Sequence, residues 1–430
     1  MSQEIDVFDP EIHLVKPDSI SNFTFGDLGL SNGSNDDVVA GSHPFPFLTK
    51  DGVLAYRRSI LRPEVLDNCA RWLGNTTAML RNSASKSQFV TDLWTSPATT
   101  EIVRKALNMP VDIIMPMEIG HTNIQVMGDD CSLDRLTAEP WLESMSLTDE
   151  ELSYDPLSAG SVIPWHFDSY PYVCIIMLSD TTSMTGGHTY LRTGDGSPHK
   201  VEGPAMGTAV VLQGGQVEHL ASRAFGSAER ITTISSYKVA NVGTWDNSLI
   251  SNVRVYDRLP DLYRQWSLYR LKKMREEIEA VEEKLRSTSD PSDPFLHDEV
   301  KSLCSQLSQY STRTIRQMIP ITMRDEAVSK FSARTVTDAK DVWKNIREQP
   351  GIHRRVVDAT DRTAKVMPEM KDYLLDWYQT KARLAVGADG GHDSLRVPLE
   401  ASAEYYFPDE LVRQGLNELL LLWLDKMDVL

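Results

Sequence analysis

Long hydrophobic runs are missing from this sequence. The longest apolar stretches, residues 172–178 and 419–424, are far shorter than the roughly 20 residues that a membrane-spanning helix needs. The chain opens with MSQEIDVFDP, which has neither the basic nor the apolar part of a signal peptide. We therefore expect a cytoplasmic protein that does not interact with membranes.

Basic residues and cysteines are also scarce. The chain has 44 Lys and Arg against 61 Asp and Glu, a net charge of -17, and shows no basic stripe with interleaved aromatics. This field repels a polyanion, so nucleic-acid binding is disfavoured. The four cysteines are scattered without CxxC spacing, which argues against a cysteine zinc site or a disulfide framework. Hydrophobic residues still make up 41%, enough for a globular core.

The chain divides into four regions by pattern. Residues 1–43 include the polar, turn-rich stretch SNGSNDD and are predicted to be flexible. Residues 44–254 begin with helical patterns, and from about 111 to 239 short β-rich runs recur between turns. Such spacing, without intervening helices, predicts an antiparallel sandwich or barrel in an α+β chain. Residues 255–320 read as a helical hairpin, and residues 321–430 as a mostly helical region.

The hairpin prediction depends on two apolar seams with helical spacing. A short Pro/Asp/Ser linker separates them, so we expect antiparallel helices packed on each other or on the barrel. Homodimerisation through the 261–318 helices is the alternative. The seam residues are Leu271, Met274, Ile278, Val281 and Leu285, then Leu296, Val300, Leu303, Leu307 and Tyr310.

The stretch WHFDSY carries the first candidate metal ligands. His166 and Asp168 are two positions apart, so on a strand both point to one face while Phe167 points to the other. An HxD pair alone is weak evidence for a metal site. The HDE at 297–299 is a similar pair, but it opens a probable helix, where side chains two positions apart diverge.

A second histidine and an arginine strengthen the pattern. His219 follows Asp168 after several predicted strands, and two His with one carboxylate suit Fe(II), leaving positions open for substrate and dioxygen. Arg230 lies ten residues beyond His219, with Thr232 in phase, and the two could bind a carboxylate. A structural turn histidine and a surface salt bridge are the simpler alternatives, but they leave the ordered spacing unexplained.

These residues resemble the HxD…H-x10-R-x-S/T signature of the Fe(II)/2-oxoglutarate-dependent dioxygenases. The resemblance covers about 111–239 and implies a double-stranded β-helix (jelly-roll) core with flanking helices, hence a catalytic domain over 44–254. It implies that His166, Asp168 and His219 bind Fe(II), and that Arg230, assisted by Thr232, holds the far carboxylate of 2-oxoglutarate. The co-substrates would be 2-oxoglutarate and O2.

The stretch from Trp165 to Gly196 is also similar to a group of fungal secondary-metabolism oxygenases that includes a valine aziridine-forming enzyme. The resemblance implies oxidation of an unactivated C–H bond of a small metabolite, with an amino acid or a derivative as candidate. Hydroxylation, desaturation and ring closure all remain open, and succinate and CO2 are the co-products. The sequence departs from the group at His188, where an acidic residue is expected.

Contacts to the substrate are harder to predict. His121, Asn123 and Gln125 alternate with apolar residues, which indicates a strand whose polar face lies either in the barrel mouth or in solvent. Arg192 is a candidate for a substrate carboxylate or a surface residue. Tyr172, in phase with His166 if no bulge intervenes, is a candidate for co-substrate contact.

Two other functions fit the sequence. One is a non-haem iron oxidase that does not use 2-oxoglutarate and binds its own substrate's carboxylate with Arg230. The other is a catalytically silent jelly-roll interaction protein, against which the intact set of four residues speaks.

Overall fold

The computed structural model describes residues 6–30, 36–72, 76–127, 131–157, 163–202, 204–250, 253–254, 256–288 and 294–318. The predicted region 321–430 therefore lies outside the described residues. The helices are α1 Pro10–His13, α2 Lys50–Ile60, α3 Pro63–Cys69, α4 Gln88–Thr95, α5 Pro97–Leu107, α6 Asp149–Leu152, α7 Leu259–Ser287 and α8 Pro294–Arg316. The strands are β1 Asn22–Thr24, β2 Val39–Ser42, β3 Phe45–Pro46, β4 Ala70–Trp72, β5 Thr77–Leu80, β6 Val111–Ile113, β7 His121–Val126, β8 Ile163–His166, β9 Tyr172–Met177, β10 Thr185–Gly186, β11 Thr189–Arg192, β12 Pro198–Lys200, β13 Thr208–Leu212, β14 His219–Ala221, β15 Ala224–Phe225 and β16 Glu229–Val239.

A ten-stranded antiparallel sheet organises the molecule, as the strand-like pattern predicts. Its main path is β1-β2-β13-β9-β16-β7-β5-β4, with β3 paired to β13 and β6 to β16. The long central strand β16, ERITTISSYKV, is rich in β-branched residues and lies between β7 and β9. Almost all of its residues are buried, because both faces of this sheet are covered.

A second antiparallel sheet, in the order β12-β11-β14-β8, covers one of those faces. Leu191 from this smaller sheet shares an apolar cluster with Val173 and Leu212 from the large sheet. From β7 to β16 the chain crosses repeatedly between the two sheets, and β11 and β12 follow each other as a hairpin within the smaller one. The space between the sheets is where their inward side chains meet.

Helices α2 to α5 cover the opposite face of the large sheet. Trp94 and Tyr56 are fully buried there, in one cluster with Ile124 and Ile231 of the sheet. Helix α2 begins at its cap Thr49, whose side chain accepts a hydrogen bond from the amide of Gly52. This helical layer supports the sheet from behind.

The N-terminal residues are more ordered than the sequence predicts. Within the described parts of 1–43, β1 and β2 pair with each other, and β2 continues onto β13 of the large sheet. Phe23, Phe25 and Leu28 are buried in the cluster that includes Leu191 and Val217. The prediction of a flexible segment is wrong for these residues, because their apolar side chains complete the packing between the sheets.

Helices α7 and α8 form the predicted antiparallel hairpin. Lys284 pairs with Glu299 toward one end, and Trp266 Nε1 donates to the carbonyl of Thr314 toward the other. The predicted seam on α7 is wrong in part, because Leu271 is 60% exposed. Ile278 and Leu285 are exposed as well.

The buried face of α7 is shifted along the helix toward its N-terminus. Leu262, Trp266 and Tyr269 pack in a cluster with Met115 and Tyr170, which lie outside the hairpin in loops between the strands. Packing against Met115 and Tyr170, together with the contacts to α8, therefore decides which face of α7 is covered. Dimerisation through these helices stays a prediction. No helix within the described ranges is long and apolar enough to cross a membrane.

Candidate metal and carboxylate site

His166 and Asp168 lie where β8 ends and the chain crosses toward β9. His166 is the last residue of β8, and Asp168 follows in the loop, where its amide donates to the carbonyl of Gly214 at 2.8 Å. Nε2 of His166 lies 3.6 Å from Oδ1 of Asp168. The two residues therefore face one point, although only His166 is on a strand.

His219 approaches the same point from the neighbouring strand. It begins β14 and is the direct antiparallel partner of His166, with the two ring centroids 4.2 Å apart. Its Nε2 lies 3.6 Å from Oδ1 of Asp168. Its Nδ1 lies 2.9 Å from the carbonyl oxygen of Val217, and a hydrogen bond there fixes the tautomer that leaves Nε2 free to bind a metal.

The three side chains fit one divalent cation. One ligand atom from each lies within 4.8 Å of the others. A metal with bonds of about 2.1 Å can bridge atoms up to about 4 Å apart, so small side-chain movements would suffice. Burial raises the pKa of Asp168, but the imidazoles of His219 and His166 outweigh it and hold this pKa well below the usual range. The carboxylate is therefore ionised, as a metal ligand must be.

Gly214 allows the carboxylate to take this place. A Cβ on Gly214 would lie 1.8 Å from Oδ2 of Asp168, so no residue with a side chain fits there without displacing the ligand. The sequence analysis missed this role. The Gly-Gly pair at 214–215, shortly before His219, was the available signal.

Arg230 is a buried cation in the same region. Its residue exposure is 7%, and Nε and Nη2 donate to the carbonyl of Gly187 at 3.2 and 3.0 Å. Among the described residues no carboxylate forms an ion pair with it, and burial lowers its pKa to about 10. A buried cation without a counter-ion is costly, so this guanidinium is suited to an anionic ligand.

A cavity of about 190 Å³ between the two sheets joins the two sites. The three candidate metal ligands and Arg230 all line it. So does Thr232, which shares the inward face of β16 with Arg230 as the sequence predicts. The structure thus brings the predicted ligands and the predicted carboxylate-binding pair into one space.

Three other predicted contacts do not line this cavity. Tyr172 lies in the core on the helical side, because β9 belongs to the other sheet and the alternation does not carry over from β8. Gln125 is bound to the backbone of Ala224 through both ends of its amide. Arg192 pairs with Glu218 and stacks over Trp165, with its side chain 36% exposed.

His121 and Asn123, the other two predicted contacts on β7, do line the cavity. The strand face that carries them points between the sheets, so the solvated alternative is wrong for these two residues. His188 does not line the cavity, and its carbonyl accepts from the amide and hydroxyl of Ser222.

A buried ionic cluster forms the wall beyond His121, and the sequence analysis missed it. Arg81 binds both Glu118 and Asp257, and Tyr170 donates its hydroxyl to Glu118 at 3.1 Å. Arg81 and Glu118 line the cavity. These residues are far apart in the chain, so no local pattern could have joined them.

Comparison with known proteins gives fold likenesses only. No family profile and no curated protein matches this chain. Among solved structures, it is similar to a 2OG-Fe(II) oxygenase family oxidoreductase from Burkholderia pseudomallei, at 14% identity and a TM-score of 0.29 over 43% of this chain and 76% of the other. A prolyl-4-hydroxylase from Pseudomonas putida shows 14% identity and a TM-score of 0.29, over 47% and 94%. HygX from Streptomyces hygroscopicus was solved with nickel, 2-oxoglutarate and hygromycin B bound. It shows 17% identity and a TM-score of 0.30, over 49% of this chain and 87% of its own.

Proposed function

We propose that this chain is a mononuclear Fe(II) oxygenase that uses 2-oxoglutarate to oxidise a C–H bond of a small metabolite. The observation that carries the proposal is one cavity lined by both a His-Asp-His group and a buried arginine that has no carboxylate partner in the described part of the chain. Two imidazoles and one carboxylate on one side of an ion leave the other positions open, which suits Fe(II) enzymes that activate oxygen.

The strand order supports a double-stranded β-helix core for this enzyme. The large sheet has the order β13-β9-β16-β7 and the small sheet the order β12-β11-β14-β8, and the chain crosses between them except at the β11–β12 hairpin. Two four-stranded antiparallel layers connected in this way form a jelly roll. We assign the catalytic domain to 44–254, the helical hairpin to 255–320, and leave 1–43 and 321–430 as flanking regions.

Each residue of the site has a distinct task in this proposal. His166, Asp168 and His219 hold the metal, and the carbonyl of Val217 orients the imidazole of His219. Arg230 binds the far carboxylate of 2-oxoglutarate with its fork of donors, with the Thr232 hydroxyl beside it. When bound, Fe(II) and 2-oxoglutarate supply the oxidising chemistry with O2, releasing succinate and CO2. The two sheets shield the reaction from bulk water.

For the substrate and the type of oxidation, the proposal names classes and not individual compounds or products. HygX and its bound hygromycin B show a small-molecule ligand in a protein of similar fold. For this chain, the similarity of 165–196 to fungal secondary-metabolism oxygenases supports an amino acid or a derivative. Hydroxylation, desaturation and ring closure are all compatible with the site, and the experiment below does not depend on which occurs.

Metal binding and co-substrate turnover test the proposal separately. Anaerobic titration should give one Fe(II) per chain, which His166→Ala and His219→Ala should each abolish while the circular dichroism spectrum is retained. His297→Ala is the matched control, because His297 lies exposed on α8 within the HDE stretch. The Fe(II) protein should also form succinate from 2-oxoglutarate and O2.

Other results would point elsewhere. Full metal content in both alanine variants would overturn the ligand assignment. Iron binding without succinate, whichever candidate metabolite is added, would favour an iron oxidase that does not use 2-oxoglutarate. Absence of any metal binding would favour an interaction protein.

A further inference from the structure

Two buried polar atoms in the cavity form no hydrogen bond of regular geometry with any described residue. They are Nε2 of His121 and Oδ1 of Asn123, on one face of β7. Asn123 is 9% exposed as a whole residue. Buried polar groups are almost always paired, so two such atoms side by side in one cavity indicate a ligand. Because the cavity also holds the candidate metal ligands and Arg230, the two candidates are 2-oxoglutarate and the molecule to be oxidised.

We propose that His121 and Asn123 bind the polar group of the oxidised substrate, accepting hydrogen bonds from its amine or hydroxyl. This inference rests on the proposed function, since it assigns one part of the cavity to the substrate and another to 2-oxoglutarate. The substrate class is a small, mainly aliphatic molecule with one such donor group.

The register of the large sheet places the two residues next to the proposed co-substrate contacts. Asn123 pairs directly with Thr232 of β16 on one side and with Met79 of β5 on the other. His121 pairs with Ile234, one step further from Arg230 along the strands. A substrate held by His121 and Asn123 therefore lies beside 2-oxoglutarate rather than in its place.

The polar groups beyond His121 are already satisfied. Arg81 is bound by Glu118 and Asp257, and Glu118 also accepts from Tyr170. This cluster shapes the wall and is not free to take the substrate. His121 and Asn123 differ from this cluster because each has a buried atom without a regular hydrogen bond to any described residue, and Nε2 of His121 accepts in one tautomer of a neutral ring.

The histidine is suited to this task because it stays uncharged. Burial, together with the nearby Arg81 cation, lowers the pKa of His121 to about 3, and the opposing effects of Asp257 and of the Asn123 side chain do not offset this. A neutral ring can accept a hydrogen bond, whereas a protonated one would only donate and would attract the carboxylate that belongs at Arg230.

One part of the surrounding wall is aliphatic. Val173 and Ile175 of β9, Ile234 of β16 and Met79 of β5 all line the cavity. These side chains offer dispersion contacts to a hydrocarbon body and no hydrogen bonds. The combination favours molecules with a hydrophobic body and a donor head group.

Three cyclic probes of one ring size test this assignment. Cyclopentylamine and cyclopentanol carry a donor, whereas cyclopentanone can only accept. Dissociation constants are measured by ligand-observed NMR, with Fe(II) and 2-oxoglutarate under anaerobic conditions and again with metal-free protein. We expect both donors to bind at least tenfold more tightly than the ketone, and the tighter donor identifies the head group. The metal-free arm keeps this test independent of the iron assignment.

Variants show whether the selectivity comes from the two residues. Asn123→Leu and His121→Phe should each remove the tenfold preference, Asn123→Asp should retain it for the amine, and Asn241→Leu, at an exposed position, should leave it unchanged. Thermal melting monitors folding in each variant. Equal binding of the ketone and the donors by the parent protein would overturn the proposal. So would an unchanged preference in a folded Asn123→Leu protein.

Discussion

Oδ2 of Asp168 lies so close to the backbone of Gly214 that a Cβ there would be 1.8 Å away. The amide of Asp168 also donates to the carbonyl of Gly214, so the backbone holds the carboxylate from one side while leaving it room on the other. Because β14 begins shortly after Gly214, this contact sets Asp168 relative to His219.

Gly214→Ala should therefore damage metal binding more than folding. The added methyl displaces the carboxylate, and we expect Fe(II) affinity to fall about 10- to 100-fold, as for lost supports of metal ligands. Isothermal titration under anaerobic conditions measures it. Gly196→Ala is the control, since a Cβ there meets nothing within 4 Å and only the positive φ of 83° is strained. Equal Fe(II) affinity in both variants would contradict the role of Gly214.

A buried ion pair fixes the start of β16, where Arg230 lies. Nη1 of Arg57, on α2, lies 2.6 Å from Oε1 of Glu229, and both side chains are almost fully buried. Glu229→Leu should lower the free energy of unfolding by about 3–5 kcal/mol, because it leaves the guanidinium uncompensated. Urea denaturation measures this loss.

The matched control for that prediction is an exposed ion pair. Glu282 and Arg286 lie one turn apart on α7, with side-chain exposures of 52% and 71%. Glu282→Leu should change stability by less than about 1 kcal/mol. If the two variants lost the same stability, the buried pair would not be anchoring α2 to β16.

The hairpin gives a pH-dependent prediction. Asp246 lies between Arg270 and Tyr269 of α7 and Tyr310 of α8. Burial raises its pKa, but Arg270 and the hydrogen bonds of Ser248 and Tyr269 outweigh this, so the folded pKa is lowered. Its stabilising effect is therefore complete above the unfolded pKa of about 4 and is lost as pH falls through the lower folded value.

Asp246→Asn isolates this contribution. The parent protein should be more stable than the variant by a constant margin above pH 5, and the margin should shrink as pH falls below about 4. Urea denaturation of both proteins from pH 7 to pH 3 gives the margin directly. A margin that does not change with pH would show that Asp246 does not act through its charge.

The sequence predicted which residues lie together around the cavity better than it predicted their surroundings. His166, Asp168, His219 and Arg230 could be chosen because their order and spacing match a known pattern. Strand alternation places Arg230 and Thr232 on one face of β16, but it does not apply to Asp168, which lies in a loop after β8. Tyr172 was assigned to the wrong side because its strand belongs to the other sheet, which no local alternation reveals. Similarly, Leu271 fits a helical seam, but the packing of α7 against Met115 and Tyr170 buries another face of the helix and leaves Leu271 exposed. The Arg81 cluster joins residues distant in sequence and was beyond any spacing argument.

Replacing Arg230 separates binding from stability. Arg230→Met should weaken 2-oxoglutarate binding at least tenfold, because losing a buried charged hydrogen-bond partner costs about 2 kcal/mol or more. We do not expect a matching loss in the free energy of unfolding. Burial lowers the pKa of Arg230, so the folded protein disfavours its charge. Titration calorimetry with 2-oxoglutarate and urea denaturation give the two quantities. Arg104→Met, at a half-exposed arginine paired with Asp112, is the control and should leave binding unchanged. A large loss of stability with unchanged affinity would instead make Arg230 a structural residue of β16.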